Sequence, residues 1–281
     1  MIDRLASLLE HFSVKAHLFH AGTLCGSNLL QANATMGQLH LIRHGSITVF
    51  HGADKVHIDR PSLLLYPRPI THRFESPASS GADMACAHLI FEGGIHNSIA
   101  NALPDVVCMA LEDIPETSQT LSLLFDEAFA QRCGRSSILN RLFEVVFIQV
   151  LRHLMERNQV HTGMLAGLAH PHLRFALVAL HTSPSKVWGL NELSKVCGMS
   201  RSVFANTFRD IVGCTPGVYL QNWRILVAQG YLRKGLSLKH ITNAVGYSSE
   251  AAFSRAFRAH VGMPPRQWRE MQKSASDASP A

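Results

Sequence analysis

One stretch near the C-terminus of this sequence is written twice. Met199-Ser-Arg-Ser-Val-Phe-Ala-Asn-Thr-Phe-Arg209 aligns with Tyr247-Ser-Ser-Glu-Ala-Ala-Phe-Ser-Arg-Ala-Phe-Arg258 when one inserted residue is allowed, so Phe204, Phe208 and Arg209 fall on Phe253, Phe257 and Arg258. The register continues, with Gly213 on Gly262, Pro216 on Pro265 and Tyr219 on Trp268, each 49 residues apart. A period of that size fits a helix-turn-helix with its exit turn. Two copies in one chain restrict this region to an all-helical domain with two reading helices, and imply a protein that grips two neighbouring stretches of DNA groove.

The first unit opens at Leu190-Asn-Glu-Leu-Ser-Lys-Val-Cys197, a short helix with Leu193 and Val196 inward. Gly198 supplies the turn, because glycine takes positive φ without strain. Ser200 is placed to cap the next helix, whose core positions are Val203, Phe204, Phe208 and Ile211. Its other face carries Arg201, Ser202, Ala205, Asn206 and Arg209. Arginine forks onto guanine, asparagine onto adenine, and alanine touches a thymine methyl. Arg201, Ala205 and Asn206 are therefore assigned to bases and Arg209 to phosphate. The second unit repeats the plan with Leu238, Ile241 and Val245 inward, a Gly246 turn, a cap at Ser248 or Ser249, and core Phe253 and Phe257. Its outward face offers Glu250, Ala251, Ser254, Arg255 and Arg258. Glu250 either accepts from cytosine or compensates the helix N-terminus. Between the units, residues 216–234 form a helix of about 28 Å, close to one turn of duplex.

Charge follows the same division. Residues 1–171 hold 12 Lys+Arg against 15 Asp+Glu, a net of −3, and residues 172–281 hold 14 against 5, a net of +9. A basic half beside a mildly acidic half suits a DNA-binding domain joined to a sensor. The N-terminus lacks the build of a signal peptide and no apolar run is long enough to span a membrane, so a cytoplasmic protein is expected. In that compartment the six cysteines are not expected to form structural disulfides, and they show no paired metal-ligand spacing.

The front half changes pattern. From about residue 18 to 91, short apolar runs are broken by turn residues: Leu39-His-Leu-Ile42, Ile47-Thr-Val-Phe50, Val56-His-Ile58, Leu63-Leu-Leu-Tyr66 and Ala85-Cys-Ala-His-Leu-Ile-Phe91. This predicts a small β-barrel or sandwich. Residues 120–157 switch to helical periodicity, and the stretch from Ile138 to Met155 is apolar around most of its circumference. Such a helix packs on the barrel with one side and on a second subunit with the other, so a homodimer is expected. Residues 158–170, with Gly163 and Gly167, read as a hinge, and residues 274–281 as a disordered tail.

Residues 188–268 resemble the AraC/XylS family of bacterial transcription regulators. The resemblance is carried by Ser200-Arg-Ser-Val-Phe-Ala205, Phe208-Arg-Asp-Ile-Val-Gly213, Thr215-Pro216, Trp223-Arg224, Ile241-Thr-Asn-Ala-Val-Gly-Tyr-Ser-Ser249, Phe253-Ser-Arg-Ala-Phe257 and Gly262-Met-Pro-Pro265. Thr242 and Tyr247 depart from the alanine and phenylalanine usual in the family. The resemblance implies a promoter-binding regulator, most often an activator that contacts RNA polymerase, and not an enzyme. The fold class expected is α+β multidomain: a cupin-like β-barrel with flanking helices, then an all-α domain with two helix-turn-helix units. The boundaries drawn are 1–119 for the sensor, 120–168 for a helical linker and dimerisation segment, 169–273 for the DNA-binding domain and 274–281 for the tail.

The front half resembles the cupin-type sensor of one branch of that family, through Leu39-His-Leu-Ile42, the turn after Leu63-Leu-Leu-Tyr66, His72-Arg73 and Cys86-Ala-His-Leu-Ile-Phe-Glu-Gly-Gly94. Pro61-Ser62 stands where the branch has Gly-Asp. Catalytic cupins hold a metal through a His-X-His pair, a glutamate and a distant histidine. Here Ile42 follows His40 in that spacing and the glutamate is missing, so no cofactor is expected; His20, His40, His72 and His88 are the weak metal candidates. Members that sense reactive chlorine carry one cysteine on an early strand and one on a late strand, which Cys25 and Cys86 match. The resemblance thus implies oxidation of Cys25 and Cys86, a disulfide being one form of it; strand alternation puts His88 on the face of Cys86, where a protonated imidazole favours the thiolate, and the alternative is that both cysteines are small buried hydrophobes. Control by a small organic ligand or a metal in the barrel is the alternative, and a cupin enzyme with a basic appendage the remote one.

Overall fold

The computed structural model describes residues 3–32, 35–94, 97–157 and 159–277, with side chains through residue 272. The chain divides into two units. One is Phe12–Val160; the other joins the residues from His161 onward to the N-terminal segment that ends at His11.

Among the described residues the first unit has nine antiparallel strands, β1 (Val14–Leu24), β2 (Gly26–Leu30), β3 (Met36–Gly45), β4 (Ile47–His51), β5 (Asp54–Ile58), β6 (Ser62–Tyr66), β7 (His72–Ser76), β8 (Ala82–Phe91) and β9 (Val107–Ala110). They form one sheet in the order β1-β8-β3-β6-β9 and another in the order β2-β7-β4-β5. Ile42, Leu64, Met84 and Cys86 of the first sheet share a buried cluster with Ile47, Val49, Ile58 and Phe74 of the second. The apolar runs read as strands are β3, β4, β5, β6 and β8. The edge strands β1, β2 and β9, and the charged β7, carry too little apolar alternation to be read singly.

Helices α2 (Ser98–Ala102), α3 (Ser118–Ala128) and α4 (Arg135–Glu156) complete this unit. An open sheet edge exposes unpaired N–H groups, and α4 covers those of β1. Asn140 Oδ1 accepts from the Leu18 amide at 2.8 Å, and Glu144 Oε1 from the Ala16 amide at 3.1 Å. Four residues of helix rise about 6 Å and two residues of strand about 6.7 Å, so side chains one turn apart meet alternate amides. On the same helix Leu139, Phe143, Val146, Phe147, Val150 and Leu151 are buried, whereas Ile138 and Val145 are each 42% exposed.

Among the described residues the elements of the second unit are all helices: α1 (Ala6–His11), α5 (Gly163–Ala169), α6 (Leu173–Thr182), α7 (Leu190–Val196), α8 (Arg201–Val212), α9 (Pro216–Arg233), α10 (Leu238–Ala244), α11 (Glu250–Val261) and α12 (Pro265–Asp277). Two expectations need correction. Residues 163–169 are not a hinge: they form α5, in which Met164 to Leu168 are buried. A Cβ on Gly167 would stand 2.4 Å from a Leu177 methyl and 2.9 Å from one of Val212, so this glycine serves close packing. Asn158 of the expected hinge lies outside the described residues. Nor is the whole of 274–281 unstructured, because α12 runs to Asp277; residues 278–281 lie outside the described residues.

The α8 core is Phe204, Phe208 and Val212, an i, i+4, i+8 stripe, and Val203 lies off it at 52% exposure. By the same spacing Cys197, not Val196, follows Leu193 into the core. Helix α9 is packed by α8, α10, α11 and α12. That explains why it is apolar on several sides, with Tyr219, Leu220, Trp223, Ile225, Val227 and Leu232 buried.

Thr242 is 3% exposed and its hydroxyl has no hydrogen-bond partner among the described residues. A buried unsatisfied hydroxyl costs roughly 1–3 kcal/mol, and alanine has the higher helix propensity. Thr242→Ala is therefore expected to raise the unfolding free energy of the helical unit by about 1 kcal/mol, read as a higher midpoint in urea unfolding.

Candidate nucleic-acid interface and the interior of the β unit

The sequence repeat is a repeat in three dimensions. Helices α8 and α11 each have 12 residues and begin on a serine, Ser200 accepting from the Val203 amide at 3.4 Å and Ser249 from the Ala252 amide at 3.1 Å. Ser249 is thus the cap of the second unit. Phe204 and Phe208 have ring centroids 5.6 Å apart, as do Phe253 and Phe257. Phe208 meets Tyr219 of α9 edge-on at 5.7 Å, and Phe257 meets Trp268 of α12 edge-on at 5.9 Å.

The turns before the reading helices are glycines at positive φ, 63° at Gly198 and 77° at Gly246. A Cβ on Gly246 would fall 2.4 Å from the Ser185 carbonyl oxygen, so conformation and space both require glycine there. Arg224 of α9 fixes that approach by donating to the carbonyls of Pro184 at 2.6 Å, Lys186 at 3.0 Å and Gly246 at 3.3 Å.

Helical geometry sorts the outward residues. At 100° per residue, Ser202, Asn206 and Arg209 fall within about 60° of one another, opposite the phenylalanines. Ala251, Arg255 and Arg258 take the same places on α11. All six are exposed. Ala205 and Ser254 are half-buried beside this stripe, while Arg201 and Glu250 occupy the exposed first helical position on its flank. Sequence reasoning passed over the first turn of α10. Ser237 caps it through the His240 amide at 3.2 Å, and it presents exposed Lys239 and His240. The matching turn of α7 has Asn191 and Glu192, the latter bonded to Lys186 at 2.5 Å. The 48-residue offset between Gly198 and Gly246 was the signal that pointed there.

Among the four histidine candidates, the structure brings together two. His72 Nδ1 donates to the Ile70 carbonyl at 2.9 Å, so its Nε2 accepts from His40 Nε2 at 3.1 Å. That leaves His40 Nδ1 buried without a partner among the described residues. Burial holds both rings neutral: it pushes His72 down to about 4, and His40 well below the usual histidine value with help from the neighbouring histidines. Tyr66 stacks on His72 at 4.2 Å. His20 instead donates to the Gly22 carbonyl at 3.2 Å, and His88 stacks on Phe19 at 4.3 Å. Among the described residues no group of three or more His, Cys, Asp or Glu side chains is placed to hold a metal ion.

The two thiols lie in opposite environments. Cys25 is exposed in the break between β1 and β2, not within a strand, and its Sγ packs against Gly81. Cys86 is buried on β8, opposite His20 and His40. Leu24 pairs with Ala82 and His20 with Cys86, so five strand positions separate Cys25 from the level of Cys86. That is roughly 16 Å, whereas a disulfide requires Cα atoms within about 7 Å. A direct Cys25–Cys86 bridge therefore does not fit this fold. The expected activation of Cys86 is also reversed: burial raises its pKa far above the ordinary thiol value, and burial lowers that of His88, disfavouring the imidazolium.

A separate cavity of about 620 Å³ is lined by residues of the edge strands β5 and β9 and of the end of α4, including Ile58, Ser62, Cys108, Met109, His153 and Arg157. His153 is 5% exposed and its Nδ1 contacts Glu116 at 2.8 Å.

Comparison with known proteins adds two family models. One described as a cupin matches residues 3–156, and one described as a helix-turn-helix domain matches residues 193–271. The HTH-type transcriptional regulator AlkR of Acinetobacter baylyi is 36% identical over 177 residues, 61% of this chain and 58% of that protein. A putative AraC-like transcription regulator of Streptomyces lividans gives the same identity and the same shares. The RCS-specific HTH-type transcriptional activator RclR of Escherichia coli is 25% identical over 247 residues, 83% of this chain and 86% of that one. The chain thus spans under two thirds of the length of the first two relatives.

Two outcomes test this geometry. After a brief pulse of a thiol alkylator, peptide mapping is expected to find Cys25 modified and Cys86 intact until the protein unfolds; equal rates would contradict the burial of Cys86. The second is a pH dependence. Folded His72 takes its proton near pH 4 and unfolded histidine near 6.5, so between those values the unfolded chain binds more protons. Stability of the β unit should then fall as pH drops from 6.5 toward 4, by roughly 3 kcal/mol from this residue. Urea midpoints measured across that range, with His72→Gln flattening the slope, provide the check.

Proposed function

We propose that this chain, which belongs to the AraC-type family of regulators with a cupin N-terminal domain, binds promoter DNA through α8 and α11 and regulates transcription. The observation that carries this reading is the pair of matched, serine-capped helices whose outward faces are exposed and basic, held in the same way by α9 and α12. Capped N-termini with free amides suit phosphate, and exposed arginine and asparagine suit base edges. The charge of +9 on residues 172–281 supplies the electrostatic attraction.

In this reading the protein is a cytoplasmic activator that contacts RNA polymerase, works without catalysing a reaction, and acts as a homodimer. The exposed Ile138 and Val145 of α4, with Leu123 of α3, support dimerisation through that face. Its signal is an oxidant, a reading suggested by the likeness to the RCS-specific activator RclR of Escherichia coli. Of the two cysteines that match the family pattern, Cys25 is exposed, as Cys108 and Cys133 are, and its oxidation requires no partner cysteine. The second reading, control by a small organic ligand, is favoured by the cavity beside β5 and β9.

Phosphate-dominated binding releases counterions, so affinity for a random-sequence duplex should fall steeply with salt. Fluorescence anisotropy across a salt series is expected to give a linear log–log plot. Arg209→Ala and Arg258→Ala should each reduce its slope by about one unit and weaken binding to all sequences alike. A flat salt dependence in the unmodified chain would overturn the reading.

A further inference from the structure

The DNA-binding reading of α8 and α11 leaves open what distinguishes the two halves of the bound site, and the repeat itself supplies an answer. Position by position, the outward stripes are Ser202, Asn206 and Arg209 against Ala251, Arg255 and Arg258. The last pair is identical and cannot discriminate. The first pair is short and offers at most one weak hydroxyl. Only the middle position differs in kind. We infer that Asn206 and Arg255 are the specificity-determining pair, Asn206 reading an adenine and Arg255 a guanine about one duplex turn away.

Four observations support the assignment. Both residues lie at the centre of the outward stripe, nearly opposite the buried Phe204 and Phe253, where a helix laid in the major groove faces the base edges. Both are exposed, and neither has a hydrogen bond, ion pair or ring contact within the described residues, unlike the carbonyl-bound Arg224. The residues that precede them on this side of the helix are small: Ser202 and Ala205 before Asn206, Ala251 and Ser254 before Arg255. Small flanks let the helix backbone approach closely enough for a side chain as short as asparagine to reach a base. Finally, α9 has 18 residues and is about 27 Å long, which sets the two readers apart on the scale of a duplex turn.

Chemistry then assigns the bases. The asparagine amide donates and accepts, matching adenine N7 and N6, whereas the guanidinium only donates, matching guanine N7 and O6. Arg201 and Glu250, about 140° around the helix from Asn206 and Arg255, are left for the phosphate flank and the helix N-terminus.

This inference rests on the DNA-binding reading, and the experiment separates the two. The full chain selects from a duplex library of 25 random base pairs, and the bound fraction is sequenced. The expected motif has a preferred A·T pair and a preferred G·C pair about ten base pairs apart. R255N should convert the guanine preference to adenine at its own position and leave the other unchanged, and N206R should do the reverse. R255N should also weaken binding to the selected site by roughly 5- to 150-fold more than it weakens binding to random duplex. An unchanged circular dichroism melt shows that each variant is folded, and N206R serves as the second test if R255N is not. Unaltered motifs in the folded variants, or an equal loss on every sequence as for a phosphate contact, would overturn this assignment alone. An unmodified chain that binds no duplex even at low salt would overturn the DNA reading and this inference together.

Discussion

Each reading helix is held by an edge-to-face aromatic contact to the helix that follows it, Phe208 on Tyr219 and Phe257 on Trp268, with Phe204 and Phe253 seated one turn earlier. Truncating such a buried ring typically costs about 3–5 kcal/mol, a large share of the stability of a domain this size. More depends on these contacts than stability. A helix fixed by two phenylalanines a turn apart cannot rotate about its axis, so its opposite face is defined. The outward positions of Asn206 and Arg255 follow from the inward positions of the phenylalanines.

The two units divide the physical work. The helical unit exposes Arg201, Arg209, Arg255 and Arg258, which place a basic surface around the capped helices. The β unit turns several titratable groups inward. His40 and His72 form a neutral, hydrogen-bonded pair beneath Tyr66, and Cys86 is a protonated thiol in an apolar cluster. Low polarity around these groups suppresses charge, so the buried cysteine is chemically quiet and the exposed Cys25 is the accessible one. Amino-acid type alone does not separate those two behaviours; burial does.

The doubled helix-turn-helix was legible because its signal is local. Glycine turns, serine caps and phenylalanines at i and i+4 specify each helix within a dozen residues, and repetition confirms the register. The central strands β3, β6 and β8 were legible for a similar reason, since buried strands read as apolar runs. Edge strands β1, β2 and β9 were not: half their surface meets solvent or a helix, and the partner that completes them is distant in sequence. The amides of Ala16 and Leu18 are satisfied by Glu144 and Asn140, more than 120 residues away. Helix α5 was misread as a hinge because two glycines in seven residues suggest freedom, when Gly167 in fact makes room for Leu177 and Val212.

By itself, then, the sequence determined the class of each half, the repeat and the identity of the outward residues, because these follow from periodicity and from backbone rules that act over a few residues. Tertiary structure decided which of those residues work together. It put Val203 and Val196 at the surface, paired His40 with His72, and set Cys25 about five strand positions from the level of Cys86. Such distances depend on strand register and on packing between elements remote in the chain, which no local pattern encodes.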